Sequence, residues 1–171
     1  MSSLLPNKVT AIRLACHDYT NDDTIYTNKH LTVDYQLVSH AKALYGSVNQ
    51  ERWRRGYCPI CGSSPDFAYL DKEYGARWLL CSRCDTGWLF QRLECPYCGT
   101  QDQNALAYYT DDEGLYRLYI CEQCHQYLKA VDLRQAKSEV LLPLERLFTL
   151  ALDAQAQEAG YSPGIGRVIT K

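Results

Sequence analysis

Eight of the nine cysteines fall in four C-x-x-C pairs: Cys58/Cys61, Cys81/Cys84, Cys95/Cys98 and Cys121/Cys124. Two pairs share a setting, CPICG at 58–62 and CPYCG at 95–99. Nineteen residues separate the first pair from the second and 22 the third from the fourth. A C-x2-C-x19-C-x2-C unit is thus followed by a variant of itself. Four thiolates converge when two such knuckles lie at the same end of a hairpin. Soft tetrahedral thiolate coordination suits zinc, or iron in a rubredoxin-like site. The expectation is two metal ions, iron or zinc, each held by four cysteines. Sequential pairing, Cys58, Cys61, Cys81, Cys84 and then Cys95, Cys98, Cys121, Cys124, follows the repeat. An interleaved pairing stays open, and disulfides are the competing chemistry. A closed four-cysteine shell leaves no position for water, so these sites read as structural and the chain as no enzyme. His17, His30, His40 and His125 are scattered and lack a nucleophile partner. The SPGIG run at 162–166 lacks the strand and helix of a phosphate loop.

The elements that position the knuckles follow the hydrophobic pattern. Each Pro-containing knuckle ends in Gly62 or Gly99, and the others carry Asp85 or His125 at that place. DFAYLD (66–71) and ARWLL (76–80) read as a hairpin, followed by WLFQRL (88–93). ALAYYT (105–110) and LYRLYI (115–120) flank the turn 111–114, with YLKAVDL (127–133) as the closing strand. The repeat offset grows from 37 at the first knuckles to 40 at the second, which puts the extra three residues in the second hairpin. Before the cysteines, Leu37, Val38, Ala41, Leu44, Tyr45 and Val48 predict an amphipathic helix over Asp34–Val48. After them, Leu144, Leu147, Phe148, Ala151, Leu152 and Ala154 predict a single helix over Pro143–Ala159 with one apolar face, a candidate partner surface together with the first helix and the 52–55 arginine cluster. Val9, Ile12 and Cys16 mark a weak N-terminal helix pattern, with Cys16 as a small buried residue. The fold class is α+β: tandem rubredoxin-like or zinc-ribbon β modules flanked by an N-terminal and a C-terminal helix. The divisions are 1–52, 53–93, 94–134 and 135–171.

Composition bounds the function. Fourteen tyrosines against three Phe, three Trp and one Met fit thin cores that need a metal. Net charge is −2, and two divalent ions on eight thiolates take it to about −6. That balance opposes nucleic-acid binding, which draws on phosphate neutralisation. ERWRRGY (51–57) holds three arginines around Trp53, too few for a nucleic-acid footprint, and reads as a linker whose Trp packs on the first ribbon. No run approaches a membrane span and the N-terminus has no leader pattern, so a cytoplasmic location with reduced thiols is expected.

The ordered series WRRGYCPICGSSP (53–65), GARWLLCSRC (75–84), GWLFQRLECPYCG (87–99), CEQCHQYLKAVDL (121–133) and LALDAQAQEAGYSPG (150–164) resembles the formate dehydrogenase accessory proteins, the FdhE family. The resemblance covers about residues 51–164, with a much shorter helical region ahead of it than in the family. It implies a cytoplasmic, non-enzymatic maturation factor with tandem rubredoxin-like modules, associated with iron. The partner it implies is the catalytic (alpha) subunit of a respiratory, molybdenum-dependent formate dehydrogenase. All eight paired cysteines carry over as metal ligands. Homo-oligomerisation is left open. The alternatives are a zinc-ribbon nucleic-acid or protein interaction module and a rubredoxin-like electron carrier.

Overall fold

A computed structural model describes residues 28–165, with side chains of the first helix from Gln36 onward. The expectations for Val9, Ile12, Cys16, His17 and the His30 side chain lie outside the described residues, as does the tail beyond 165. The class is α+β. Helix α1 (Asn28–Leu44) ends in a 3-10 turn, Tyr45–Ser47. Six strands then follow: β1 (Pro65–Leu70), β2 (Arg77–Cys81), β3 (Gly87–Leu89), β4 (Leu106–Thr110), β5 (Tyr116–Cys121) and β6 (Gln126–Asp132). Helices α2 (Leu142–Phe148) and α3 (Leu150–Glu158) and the two-residue strand β7 (Ser162–Pro163) complete the described chain.

The two expected hairpins are present, but they are not separate ribbons. The strand order is β3-β2-β1-β6-β5-β4, one sheet, with β7 also on β6. The join is a parallel pairing of β1 with β6, from Phe67↔Lys129 to Leu70↔Asp132. Parallel pairs need cover on both faces, and all seven residues of β6 are buried. Alternation sorts the neighbours. Leu128 and Ala130 join Ala68, Leu79, Trp88 and Ala41 of α1 on one face. Tyr127 and Val131 point the other way, toward Leu118, Ile120, Leu152 and Ala156, and toward Phe67 and Leu80. Full burial of a side chain such as Phe67 or Leu79 stabilises by about 1.5–3 kcal/mol.

The extra residues of the second repeat lie in the loop 100–105 leading into β4 rather than in the hairpin itself. Leu106 pairs with Cys121, whereas Pro65 pairs with Cys81 across a register shift at Asp66 that the second hairpin lacks. Such a bulge re-aims the side chain it carries.

The C-terminal helix is two helices, not one; α3 buries Leu152 and Ala156, while the apolar residues of α2 are turned outward. Lys129 rises from β6 and donates from Nζ to the carbonyls of Arg146 at 3.1 Å and Thr149 at 3.4 Å, and to Asp153 Oδ2 at 2.6 Å. Thr149 Oγ1 donates to Glu145 O at 2.6 Å, a back-bond that bends helices. The buried ammonium and this back-bond engage carbonyls at the break. α2 therefore points Glu145 and Arg146 at the sheet, and Tyr116 Oη donates to Glu145 Oε2 at 2.6 Å. Leu144, Leu147 and Phe148 stay exposed, the last two at 55% and 58%.

Far from the cysteines, the last residue of β6 clamps both hairpin ends. Asp132 Oδ2 accepts from Arg117 Nη2 and Arg134 Nη2, each at 2.7 Å, and Oδ1 accepts from Arg134 Nε at 2.9 Å. Gly75, at the turn of the first hairpin, lies against the same Arg134 guanidinium. Burial alone pushes the Asp132 carboxyl up, but the bonds from Arg134 and Arg117 outweigh it and hold the carboxyl below its ordinary range. Asp132→Asn should lower the unfolding free energy at pH 7 by about 3–5 kcal/mol in urea denaturation, because it leaves the guanidinium groups uncompensated. A carboxyl depressed in the folded state stabilises above its unfolded pKa. The gap between the two proteins should therefore shrink as pH falls below about 4.

Candidate metal centres

Each knuckle is built in the same way. The N–H of the fifth knuckle residue turns back to the first cysteine's carbonyl in three of them: Gly62 to Cys58 at 3.1 Å, Gly99 to Cys95 at 2.9 Å and His125 to Cys121 at 2.8 Å. The fifth residue has positive φ in all four: Gly62 at 73°, Asp85 at 54°, Gly99 at 74° and His125 at 52°. The tight turn aims backbone N–H groups at sulfur. Ile60 N donates to Cys58 Sγ and Arg83 N to Cys81 Sγ, both at 3.4 Å. Such donors favour thiolate over thiol.

The knuckles converge in sequential pairs. Cys58, Cys61, Cys81 and Cys84 form one group, and Cys95, Cys98, Cys121 and Cys124 the other, with all sulfurs of a group within 4.8 Å of one another. Cys58–Cys84 is 3.5 Å, Cys61–Cys81 3.4 Å, and Cys95–Cys124 and Cys98–Cys121 are each 3.7 Å. None of the eight is in a disulfide. A tetrahedron of sulfurs about 2.3 Å from zinc has edges of about 3.8 Å, so both groups fit one ion of that size. Without a cation the thiols cannot all ionise together. Burial pushes Cys95 up and takes Cys124 to about 12, while hydrogen bonds from Cys58 and Cys81 hold Cys84 down. A divalent ion would favour thiolate at every position.

The surroundings of the two groups differ. Cys58, Cys81 and Cys84 are buried in the core cluster that includes Ala41 of α1, with Trp53 packed against its rim. That is the packing expected of Trp53. In the second group Cys98 is exposed and Cys124 half-buried. The groups are also mechanically joined. Gly56 precedes the first knuckle and touches the second: a Cβ there would lie 1.9 Å from Pro96 O. Tyr97 Oη donates to Pro65 O at 3.2 Å.

The two non-glycine knuckle positions are docking points for the C-terminal segment. Arg146 Nη1 donates to Asp85 Oδ1 at 2.6 Å and Nη2 to Cys81 O at 2.8 Å. Its Nε lies 2.8 Å from the bulged Asp66 Oδ2. At the second group His125 O accepts from Ser162 N at 2.8 Å, and its ring faces Tyr161. Asp85 thus exchanges glycine's freedom for a carboxylate that holds α2, and His125 for a ring that faces Tyr161 next to β7. Local sequence pattern does not mark Arg146, Asp66 and Lys129 as site residues. The available signal was a charge inside an otherwise apolar strand, as in YLKAVDL, and an acid in place of a knuckle glycine. His40 on α1 and the arginines of the 52–55 cluster belong to neither group.

Residues 57–92 match the family model described as FdhE, central domain. The chain is 40% identical over 116 residues to an FdhE homolog from Aquifex aeolicus, covering 65% of this chain and 40% of that one. It is 30% identical over 130 residues to FdhE from Escherichia coli O127:H6, covering 74% and 39%. The crystal structure of FdhE from Pseudomonas aeruginosa superposes with a TM-score of 0.58 at 31% identity, covering 70% of this chain and 44% of that one. The chain spans about two fifths of the length of these relatives. Over this cysteine-rich region the chain is similar to the FdhE proteins.

Proposed function

We propose that the chain is an accessory factor for a formate dehydrogenase, with two tetracysteine metal centres that hold a partner-binding surface in shape. The observation that carries the reading is the pair of closed sulfur tetrads in a chain similar to FdhE proteins along the whole stretch that contains them. Cys58, Cys61, Cys81 and Cys84 are assigned to one iron or zinc ion, and Cys95, Cys98, Cys121 and Cys124 to the other. Residues 53–93 and 94–134 are assigned as the two metal-binding units, joined in one sheet, with 1–52 and 135–171 as the regions on either side. Four thiolates saturate a tetrahedral ion, so the centres stabilise rather than catalyse. Among the described residues no helix is long and apolar enough to cross a membrane. The reading places the protein in the cytoplasm, bound to the catalytic subunit of a respiratory, molybdenum-dependent formate dehydrogenase during its maturation. The family likeness supplies that partner.

The contact surface we favour is the outward face of α2. Leu141, Leu144, Leu147 and Phe148 recur at three- and four-residue steps and are exposed together, an arrangement suited to an apolar groove on a partner. The net charge of −2 argues against a nucleic-acid partner.

Purified protein should carry two metal ions per chain. Their verified removal should abolish the far-UV circular dichroism of the sheet and lower the thermal midpoint. Unchanged spectra and midpoint would remove the structural role. Tagged protein from formate-grown cells should recover a formate dehydrogenase large subunit. Leu147→Glu with Phe148→Glu should reduce recovery at least tenfold while leaving metal content unchanged, since both side chains are exposed and touch neither tetrad. Recovery undiminished by the double substitution would move the contact elsewhere. No recovery from the unaltered protein, with formate dehydrogenase activity intact after its deletion, would sink the accessory role.

A further inference from the structure

Arg77 lies on β2, in the first hairpin, and is 3% exposed. Its guanidinium is held between two rings, 5.3 Å from the centroid of Phe90 and 5.4 Å from that of Tyr119. Nη2 donates to the carbonyls of Gln91 and Glu94, the latter at 2.6 Å. Nε is buried with no hydrogen-bond partner. Among the described residues no carboxylate forms an ion pair with it. A buried cation in that position is costly unless an anion offsets it.

Two carbonyls and two ring faces supply part of the compensation. The rest of the setting points in one direction. Glu94, whose carbonyl Arg77 holds, immediately precedes Cys95. Arg77 also lines a cavity of about 30 Å³ together with Cys95 and Cys121. Arg92 and Glu94 border the same space; Arg92 is exposed, and the Glu94 carboxylate, bonded by Gln101 Nε2 at 2.9 Å but not ion-paired with Arg77, is a second anion near the guanidinium. Four thiolates around a divalent ion carry a net charge of about −2. At the first tetrad the nearby Arg146 is already flanked by the carboxylates of Asp66 and Asp85.

We propose that Arg77 is the buried counter-charge of the second metal centre, delivered across the sheet by the first hairpin to raise metal affinity at Cys95, Cys98, Cys121 and Cys124. This rests on the reading of the tetrads as metal centres. The hairpin that builds one site then tunes the other, and the second site depends on the β1–β6 join. Arg77 acts through the cysteines, as a positioning and electrostatic residue.

The test is zinc competition on the full chain with a chromophoric chelator, followed by mass spectrometry of alkylated cysteines. Arg77→Gln keeps amide donors but loses the charge, and should weaken one of the two zinc ions by about 10–100-fold. The cysteines alkylated as that ion leaves should be Cys95, Cys98, Cys121 and Cys124. Arg77→Lys keeps the charge and should retain most of the affinity. Unchanged affinities in Arg77→Gln overturn the proposal. So do an equal loss in both variants, which marks a packing role, and a loss confined to the Cys58 tetrad. If Arg77→Gln does not fold, Arg77→Lys decides alone: a folded chain with two tight zinc ions supports the proposal and its failure overturns it. Unaltered protein that binds no zinc would sink the metal-centre reading itself, a different outcome from any of these.

Discussion

The hydrogen-bonded join between β1 and β6 is the constraint on which the rest of the structure depends. A four-cysteine hairpin has little core of its own. Side by side in one sheet, the two hairpins make a common interior that neither could bury alone, with Leu128 and Ala130 packed against Ala68, Leu79 and Trp88. The join also brings three charges inside. Lys129 and Asp132 lie on β6 and Arg77 on β2. Each resolves its burial by tying two distant parts together: Lys129 the sheet and the α2–α3 break, Asp132 the hairpin ends, Arg77 the first hairpin and the knuckle at Cys95.

The tetrads sit at the opposite end of the hairpins from the Asp132 clamp. Backbone turns set the direction of each sulfur, and the ion we assign to each centre would fix the remaining freedom. The glycine substitutions at Asp85 and His125 keep the left-handed backbone that every knuckle requires, which Asp tolerates better than most residues. In return they recruit the C-terminal segment. Because Arg146 must reach Asp85, Asp66 and the Cys81 carbonyl, α2 turns its polar side inward, and its leucines face solvent as a consequence. The fold and the candidate partner surface thus have one cause.

The strands, both hairpins and the sequential grouping of cysteines were legible in the sequence because they rest on local pattern. Alternation, turn residues and C-x-x-C spacing act over a few residues. The β1–β6 join was not legible, since a parallel pairing between residues about sixty apart leaves no local mark. The C-terminal helix illustrates the limit of periodicity. Leu144, Leu147, Phe148 and Leu152 follow a helical period, yet only Leu152 of these is buried. Periodicity identified the helix, but ion pairs decided which side of it faces the sheet.

Two tetrads of cysteines, each holding one ion in a shell of sulfur alone, are what the proposed function requires. X-ray absorption at the metal edge of the purified protein addresses this directly. Four sulfur ligands per ion at about 2.3 Å, with two ions per chain and no nitrogen or oxygen in the shell, are predicted. A mixed sulfur and nitrogen or oxygen shell, or a single ion shared between the groups, would contradict it.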